Sequence, residues 1–299
     1  MGRQDYQDLL KPEWLGTVSG LSLIARIAVE GYTSGLNRSL KLGPGMEFSQ
    51  YRGYQAGDDP RLLDWKMLAR SGRYYIKEAE QESLVTVKFI VDASASMEYR
   101  EAGISKAEYA RLLVAALAYM AFKQGDAVGL YALNDKDLVS VYPAAGKRQY
   151  YRLLLHLLEV TNTGKWPEPS RAMRRIPQQG RRELVFFLTD MYENQKELTR
   201  FARNLKTPRN EVVVLQLMGR SEMEFDYNSP LTFEDLETGA RVEVDAGKAR
   251  KMYLEKLGAR MGAIQEALLS QGIGYHLFRM DTPLDRALHE YLKERSRLN

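Results

Sequence analysis

The chain has 299 residues, of which 44% are hydrophobic and 27% are charged, and its 43 basic and 39 acidic residues leave a net charge of +4. This composition is that of a soluble globular protein, and so small a net charge does not indicate a nucleic-acid partner. The absence of cysteine excludes disulfides, thiolate nucleophiles and cysteine-ligated metals. The first residues, MGRQDYQDLLKPEW, lack the apolar core of a secretory signal, and the longest apolar run, Leu112 to Phe122, is too short to span a bilayer. We therefore expect a cytoplasmic protein with no membrane span.

Residues 1–80 predict a small N-terminal α+β subdomain built from helical and extended segments. Apolar residues at helical spacing indicate a helix from Ser19 to Tyr32, and the stretch from Met46 to Gln55 alternates like a half-exposed strand. Within GDDPRLLDW, Asp59 followed by Pro60 is typical of an N-cap and a first helical residue, which predicts a short helix. We expect this subdomain to pack on the sheet that the rest of the chain forms.

The next segment, Leu84 to Val91, predicts a central strand that is buried on both faces, because it is short, apolar and rich in β-branched residues. The strand is followed by Asp92, Ser94 and Ser96, which alternate with alanines. One carboxylate and two hydroxyls form a hard oxygen cluster that suits Mg²⁺ or Mn²⁺. The alternative is that these side chains only cap a following helix.

Strands and helices alternate over residues 81–299, which predicts an α/β fold with helices on both faces of a parallel sheet. We expect a doubly wound, mostly parallel, Rossmann-like sheet of about six strands with an inserted hairpin near residues 231–244. The other predicted strands are Asp126–Leu133, Leu138–Tyr142 (an antiparallel edge strand), Glu183–Thr189, Glu211–Met218 and Gly274–Arg279. The predicted helices are Ser105–Lys123, Arg148–Glu159, Asn194–Leu205, Ala246–Ser270 and a terminal helix from Pro283.

A second aspartate, Asp190, directly follows the buried strand ELVFFLT. Right-handed crossovers make this strand a natural neighbour of the one that ends at Asp92, and parallel neighbours bring their carboxyl ends to the same crevice. The loop between the flanking helices carries Thr161 and Thr163, either of which can supply another hydroxyl.

These motifs carry a family resemblance. The strand ending in D-x-S-x-S, the threonine loop and the later strand ending in aspartate resemble the metal-ion-dependent adhesion site of von Willebrand factor A domains. More specifically, GMEFSQYRGYQAGDDPRLLDWKMLARSGRYYIKEAEQES and VKFIVDASASM resemble the domain of unknown function 58 family of bacterial proteins. The resemblance extends from about Leu21 to the C-terminus and includes FEDLETGARVEVD and the late strand YHLFRM.

The resemblance implies a non-enzymatic, metal-ion-dependent protein-binding module with a von Willebrand factor A-like fold. It implies that Asp92 and Asp190 hold Mg²⁺ or Mn²⁺ mainly through water, while Ser94, Ser96 and a threonine contact the ion directly. We assign Thr163 as that threonine rather than Thr161, although NTGKW departs from the family's glycine-rich loop. A partner's carboxylate would complete the coordination, and the implied partner is a MoxR-type AAA+ ATPase in protein assembly or remodelling.

Two other functions remain open from the sequence. A phosphatase of the haloacid dehalogenase type would use Asp92 as nucleophile, but the position two residues later holds Ser94 instead of a second carboxylate. Nucleic-acid binding would use the basic cluster, which comprises Arg171, Arg174, Arg175, Arg181 and Arg182. We expect no catalytic residue, because no G-x-x-x-x-G-K-[ST], H-E-x-x-H or G-x-S-x-G motif is present.

Overall fold

A computed structural model describes residues 12–36, 48–53, 65–79, 85–177, 182–193, 196–227 and 231–298. The helices are α1 Pro12–Leu15, α2 Val18–Leu36, α3 Trp65–Ser71, α4 Lys106–Gln124, α5 Lys147–Leu158, α6 Pro169–Arg175, α7 Glu197–Leu205, α8 Arg220–Glu224, α9 Ala246–Leu269 and α10 Leu284–Leu298. The strands are β1 Phe48–Gly53, β2 Tyr75–Ala79, β3 Thr86–Asp92, β4 Arg100–Glu101, β5 Ile104–Ser105, β6 Ala127–Leu133, β7 Leu138–Ala144, β8 Glu183–Thr189, β9 Asn210–Met218, β10 Leu231–Glu234, β11 Arg241–Val244 and β12 Gly274–Arg279. These elements form two compact units.

The smaller unit, residues 37–84, contains an antiparallel pair of strands, β1 and β2, with α3 between them in the chain. The strand predicted over residues 46–55 is therefore present, and the segment predicted only as extended forms its partner. The predicted start of the short helix at Pro60 lies outside the described residues. The described helix runs from Trp65 to Ser71, and Trp65 is largely exposed.

The larger unit is built on a six-stranded sheet with the order β12-β9-β8-β3-β6-β7. All neighbouring pairs are parallel except β6 and β7, which pair antiparallel at one edge. Every residue of β3 is buried, as its unbroken apolar run predicted for a strand covered on both faces. The predicted α/β class, the mostly parallel sheet of six strands and the antiparallel edge strand are confirmed.

Helices cover both faces of this sheet because side chains of each strand alternate between two apolar layers. On β3, Phe89 and Val91 point into one layer, with α2, α4, α5 and α10, whereas Ile90 points into the other, with α6, α7 and α9. The helix α2 contacts α4 and α10, so it belongs to the sheet unit. The prediction of one subdomain over residues 1–80 includes this helix, whereas in the structure its apolar face is part of the core of the larger unit.

The predicted insertion is an antiparallel hairpin, in which Leu231 lies opposite Val244 and Glu234 lies opposite Arg241. It lies between β9 and α9 in the chain. Three short α-helices were not predicted from the sequence: α1, α6 and α8. The helix α6 begins at Pro169, and the Glu168 side chain caps it by accepting from the N–H of Arg171. The helix α8 is only five residues long.

Candidate functional site

Asp92 is the last residue of β3 and only 1% of its surface is exposed. Its Oδ1 accepts a hydrogen bond of 3.0 Å from the backbone N–H of Ser94. Its Oδ2 accepts a bond of 2.8 Å from Oγ1 of Thr189, which lies at the end of the neighbouring strand β8. Both carboxylate oxygens are therefore fixed at the carboxyl edge of the sheet.

Ser94 and Ser96 stand beside this carboxylate, and their hydroxyl oxygens are 3.1 Å apart. A single turn of 3₁₀-helix, Ala95–Glu98, begins directly after Ser94, yet the Ser94 side chain makes no capping hydrogen bond to it. The capping interpretation therefore does not explain the Ser94 hydroxyl. Both residues are buried, and the Ser94 side chain also forms a hydrogen bond with the Asp92 carboxylate.

The loop that carries Thr163 is joined to the D-x-S-x-S segment by two backbone hydrogen bonds. The N–H of Thr163 donates to the carbonyl of Ala93, and the N–H of Ala95 donates to the carbonyl of Gly164, each at 3.0 Å. This pairing places Thr163 next to Ser94. Thr161 is connected less directly, through its carbonyl oxygen, which accepts from Nδ2 of Asn134 at 3.4 Å.

Asn134 links the two loops at the end of β6. Its Nδ2 also donates to the carbonyl of Ala93 at 3.2 Å and to Oγ1 of Thr163 at 3.4 Å. Its Oδ1 accepts from the N–H groups of Lys136 and Asp137, which closes the turn into β7. The side chain is buried, so this amide ties three neighbouring chain segments together.

Gly164 has a φ of +66°, a backbone conformation that residues with a side chain rarely adopt. A Cβ atom at this position would also collide with the carboxylate of Asp135. Oδ1 of Asp135 accepts from the N–H of Lys165 at 3.1 Å, and the N–H of Asp135 donates to the carbonyl of Lys165 at 2.8 Å. A single glycine is thus enough to shape this threonine loop.

Asp190 follows β8 and is buried beside Lys106, the first residue of α4. Nζ of Lys106 lies 3.0 Å from Oδ2 of Asp190 and 2.7 Å from Oε1 of Glu222. Burial lowers the pKa of the Lys106 ammonium, but the two carboxylates outweigh it and raise that pKa above its ordinary value. The negative charge of Asp190 is therefore balanced by a cation of the chain itself.

Asp92 has no such balance, since no lysine, arginine or histidine in the described part of the chain forms a salt bridge with it. Burial and the nearby charge of Asp190 raise the pKa of Asp92 to about 6, although its hydrogen bonds from Ser94 and Thr189 act in the opposite direction. A divalent cation bound at this point would compensate the charge.

A third carboxylate reaches the same region from the turn of the β10–β11 hairpin. Burial, followed by the charges of Asp92, Asp190 and Asp235, raises the pKa of Glu237 to about 8, while Lys165 acts to lower it. Glu237 is therefore within electrostatic range of both strand-end aspartates, although it is 145 residues beyond Asp92 in the sequence.

The donor set fits a hard divalent cation, because it contains carboxylate and hydroxyl oxygens and no nitrogen or sulfur ligand. Among the described residues no three His, Asp or Glu side chains come close enough together to hold a metal ion by themselves. The hydroxyls of Ser94, Ser96 and Thr163 would therefore supply several of the ligands.

Several polar residues of the site were not predicted from the sequence; they are Lys106, Asn134, Thr189, Glu222 and Glu237. The sequence contains a signal for Thr189, because it is the polar last residue of an apolar strand. It contains no signal for Lys106, because the two partners of this lysine are 84 and 116 residues away.

For the phosphatase alternative, Asp92 lies in this site, and Ser94 occupies the place of the second carboxylate. In the basic cluster, Arg171 and Arg174 are exposed on α6, and Nη1 of Arg175 donates to the carbonyl of Asp137 at 3.4 Å. Arg181 lies outside the described residues.

No described helix is both long enough and apolar enough to cross a membrane.

The family described as "Protein of unknown function DUF58" matches residues 50–262, which is most of the chain. The chain belongs to the DUF58 family. Curated relatives include uncharacterized proteins of Mycobacterium bovis and Mycobacterium tuberculosis, each 23% identical over 285 residues, covering 93% of this chain and 88% of the relative. The DUF58 resemblance seen in the sequence is therefore confirmed.

Solved structures similar to this DUF58 chain include the conserved hypothetical protein BatB from Bacteroides thetaiotaomicron, with a TM-score of 0.44 and 16% identity, covering 71% of this chain and 99% of BatB. They also include a von Willebrand factor type A protein from Catenulispora acidiphila, with a TM-score of 0.39 and 16% identity, covering 70% of this chain and 42% of that protein. Likenesses of this degree say nothing about ligands or partners.

Proposed function

We propose that this DUF58 protein is a non-enzymatic, metal-ion-dependent protein-binding module. In this proposal Asp92, Ser94, Ser96, Thr163 and Asp190 hold Mg²⁺ or Mn²⁺, and a carboxylate of the partner protein takes the open position. The ion supplies a positive charge that an acidic partner residue can bind.

The observation that supports the proposal most is the environment of the Asp92 side chain. It is a buried carboxylate at the carboxyl edge of a parallel sheet, where ligands commonly bind, and no described cation pairs with it. Two buried hydroxyls stand beside it without serving as helix caps. Burying a charge is costly unless a counter-charge is present, and a divalent ion provides one.

Calorimetric titration of Mg²⁺ and Mn²⁺ into metal-stripped protein tests the site, with Asp92→Ala as the key variant. We expect saturable binding to the parent and none to Asp92→Ala, while Glu255→Ala, which changes an exposed carboxylate on α9, binds like the parent. Circular dichroism must show that Asp92→Ala remains folded. Absence of binding to the parent protein would exclude the metal site.

We further propose that the partner is a MoxR-type AAA+ ATPase, as the resemblance to the DUF58 family implies. The purified ATPase from the same organism should bind the immobilised parent in Mg²⁺. Binding should be lost in EDTA and in Asp92→Ala. Binding that persists under both conditions would separate the partner from the metal site.

A further inference from the structure

A cavity of about 490 Å³ lies in the larger unit between the helices α2, α4 and α5, which contact one another. The helix α4 begins at Lys106, beside Asp190, whereas the α4 residues that line the cavity belong to its last two turns. Tyr119, the first of them, follows Lys106 by 13 residues, which is roughly 20 Å along a helix. The cavity is therefore separate from the candidate site at the carboxyl edge of the sheet.

One part of the cavity wall is aromatic, and its four rings are those of Tyr119, Phe122, Tyr150 and Tyr151. The ring of Tyr150 contacts the other three, at centroid distances of 5.6 Å to Phe122, 5.8 Å to Tyr119 and 5.4 Å to Tyr151. Tyr150 is buried and also forms a side-chain hydrogen bond with Ser22 of α2, whereas Tyr151 is 38% exposed. The packed rings thus present an ordered surface against which another planar ring can stack.

The other part of the wall is cationic, with one exposed basic residue from each helix: Arg26 on α2, Lys123 on α4 and Lys147 on α5. No described residue that lines the cavity is acidic, and no carboxylate in the described ranges forms a salt bridge with any of the three. Nζ of Lys123 lies 5.8 Å from the centre of the Tyr119 ring, and Nζ of Lys147 lies 5.9 Å from that of Tyr151. Three positive charges therefore border the aromatic wall.

The charge of the wall favours phosphate over carboxylate as the anionic part of a ligand. A phosphate group carries about −1.5 to −2 charges at pH 7, whereas a carboxylate carries one. Phosphate therefore compensates more of the charge of three cations, and an arginine can also bind it through two parallel hydrogen bonds. The volume of the cavity is that of a small-molecule site.

We propose that this cavity binds a planar aromatic ring that carries phosphate groups, the chemistry of a nucleoside diphosphate. The phosphates contact Arg26, Lys123 and Lys147, and the ring packs against Tyr151. This site goes beyond the proposed function, because it uses none of the residues proposed to hold the metal ion.

Three probes separate the two parts of such a ligand: adenosine diphosphate, inorganic pyrophosphate and adenosine. Each is titrated calorimetrically into the protein in EDTA, so that no divalent cation bound elsewhere can hold the phosphates. Lys147→Ala removes one cation, and Tyr151→Ala removes the exposed ring. The matched control is Arg152→Ala, which removes an exposed positive charge from the same helix at a residue that does not line the cavity.

The parent should bind adenosine diphosphate at least about 10-fold more tightly than either of the other probes, because only this probe contacts both parts of the wall. Lys147→Ala should weaken the binding of adenosine diphosphate and of pyrophosphate by about 5- to 10-fold each. Tyr151→Ala should weaken the binding of adenosine diphosphate by about 5- to 20-fold and leave pyrophosphate unchanged, because only the former stacks a base. Arg152→Ala should bind all three probes like the parent.

Equal affinity of the parent for adenosine diphosphate and pyrophosphate would overturn the inference, because the aromatic wall would then take no ring. Equal weakening by Lys147→Ala and Arg152→Ala would also overturn it, since the attraction would come from the general charge of α5. Failure of the parent to bind any of the probes would exclude the site. None of these results bears on the proposed metal site, because every titration is made without metal.

Discussion

Lys106 and Asp190 form a buried ion pair at the carboxyl edge of the sheet, with Nζ 3.0 Å from Oδ2. Asp190 is one of the two aspartates proposed to hold the metal ion, so one of the site's negative charges is already balanced by a lysine. The remaining carboxylate, Asp92, would carry most of the attraction for a cation. The ammonium would also repel the incoming ion.

Replacement of Lys106 by methionine should therefore have opposite effects on stability and on metal binding. Without metal, Asp190 and Glu222 lose their shared counter-charge, and we expect the free energy of unfolding to fall by about 3 kcal/mol. With Lys106 gone, Mn²⁺ affinity should rise by about 3- to 10-fold, because a repulsive charge is removed from the site. Urea denaturation in EDTA and Mn²⁺ titration measure the two effects.

The matched control is Lys88→Met, which breaks another buried lysine–carboxylate pair on the same sheet. Nζ of Lys88 lies 2.6 Å from Oε1 of Glu183, and Lys88 precedes Asp92 by four residues, roughly 13 Å along an extended strand. This variant should lose stability to a similar extent with its Mn²⁺ affinity unchanged. If both variants bind Mn²⁺ more tightly, the effect of Lys106 is not one of local charge.

Asp92 gives the metal-free protein a predictable dependence on pH. Because its pKa rises from 3.8 to about 6 on folding, the folded state holds the extra proton, and stability is lost as pH increases from about 4 to about 6. Asp92→Asn mimics the protonated form and removes this loss. We expect the variant to be more stable than the parent by about 1–3 kcal/mol at pH 8 in EDTA, with the difference disappearing near pH 4.

Urea denaturation at a series of pH values measures this difference, and the point near pH 4 serves as the internal control. Saturating Mg²⁺ should reverse the order of stability at pH 8, because only the parent keeps the proposed carboxylate ligand. A constant difference between the two proteins from pH 4 to pH 8 would mean that Asp92 does not titrate in this range.

The sheet could be predicted because each of its strands is identified by a short, continuous stretch of the sequence. The run before Asp92 and the run ELVFFLT are apolar, short and bounded by polar residues, which is sufficient to identify buried parallel strands. The adjacency of their ends followed from the handedness of crossovers, and β3 and β8 are indeed neighbours. The unit to which α2 belongs could not be predicted, because an amphipathic helix does not specify which core its apolar face joins.

The polar surroundings of the site could not be predicted, because they depend on contacts between residues that are far apart in the sequence. Lys106 and Glu222 are ordinary charged residues near helix N-termini, and their pairing exists only once α4 and α8 lie beside the end of β8. Glu237 was noted only as part of a hairpin turn. The electrostatic effect of Asp92 on Glu237 acts between residues that are 145 apart in the sequence, so no local pattern predicts it.

Gly164 offers a test of the threonine loop. Gly164→Ala should lower the free energy of unfolding by about 1–3 kcal/mol, because the positive φ is unfavourable for alanine and its methyl group would meet Asp135. Gly262→Ala is the control: this glycine lies exposed within α9 with open space around it, so alanine should stabilise the protein by about 0.5–1 kcal/mol. Thermal or urea denaturation compares the two; destabilisation by both would indicate a general intolerance to added methyl groups.

The choice between the two threonines can be made by comparing Thr163→Ala with Thr161→Ala. Only Thr163 has a backbone bond to Ala93, and its hydroxyl lies within 3.4 Å of the Asn134 amide. If this hydroxyl binds the ion, Thr163→Ala should weaken Mn²⁺ binding by about 3- to 10-fold, and Thr163→Ser should restore it because the oxygen is retained.

Thr161→Ala should leave Mn²⁺ binding unchanged, because the observed link from Thr161 to the site runs through its carbonyl oxygen, which the substitution keeps. Isothermal titration of Mn²⁺ into the three variants distinguishes the cases. Loss of affinity in Thr161→Ala alone would move the ligand to that residue. Loss in neither alanine variant would leave the proposed ion held by Asp92, Ser94, Ser96, Asp190 and water.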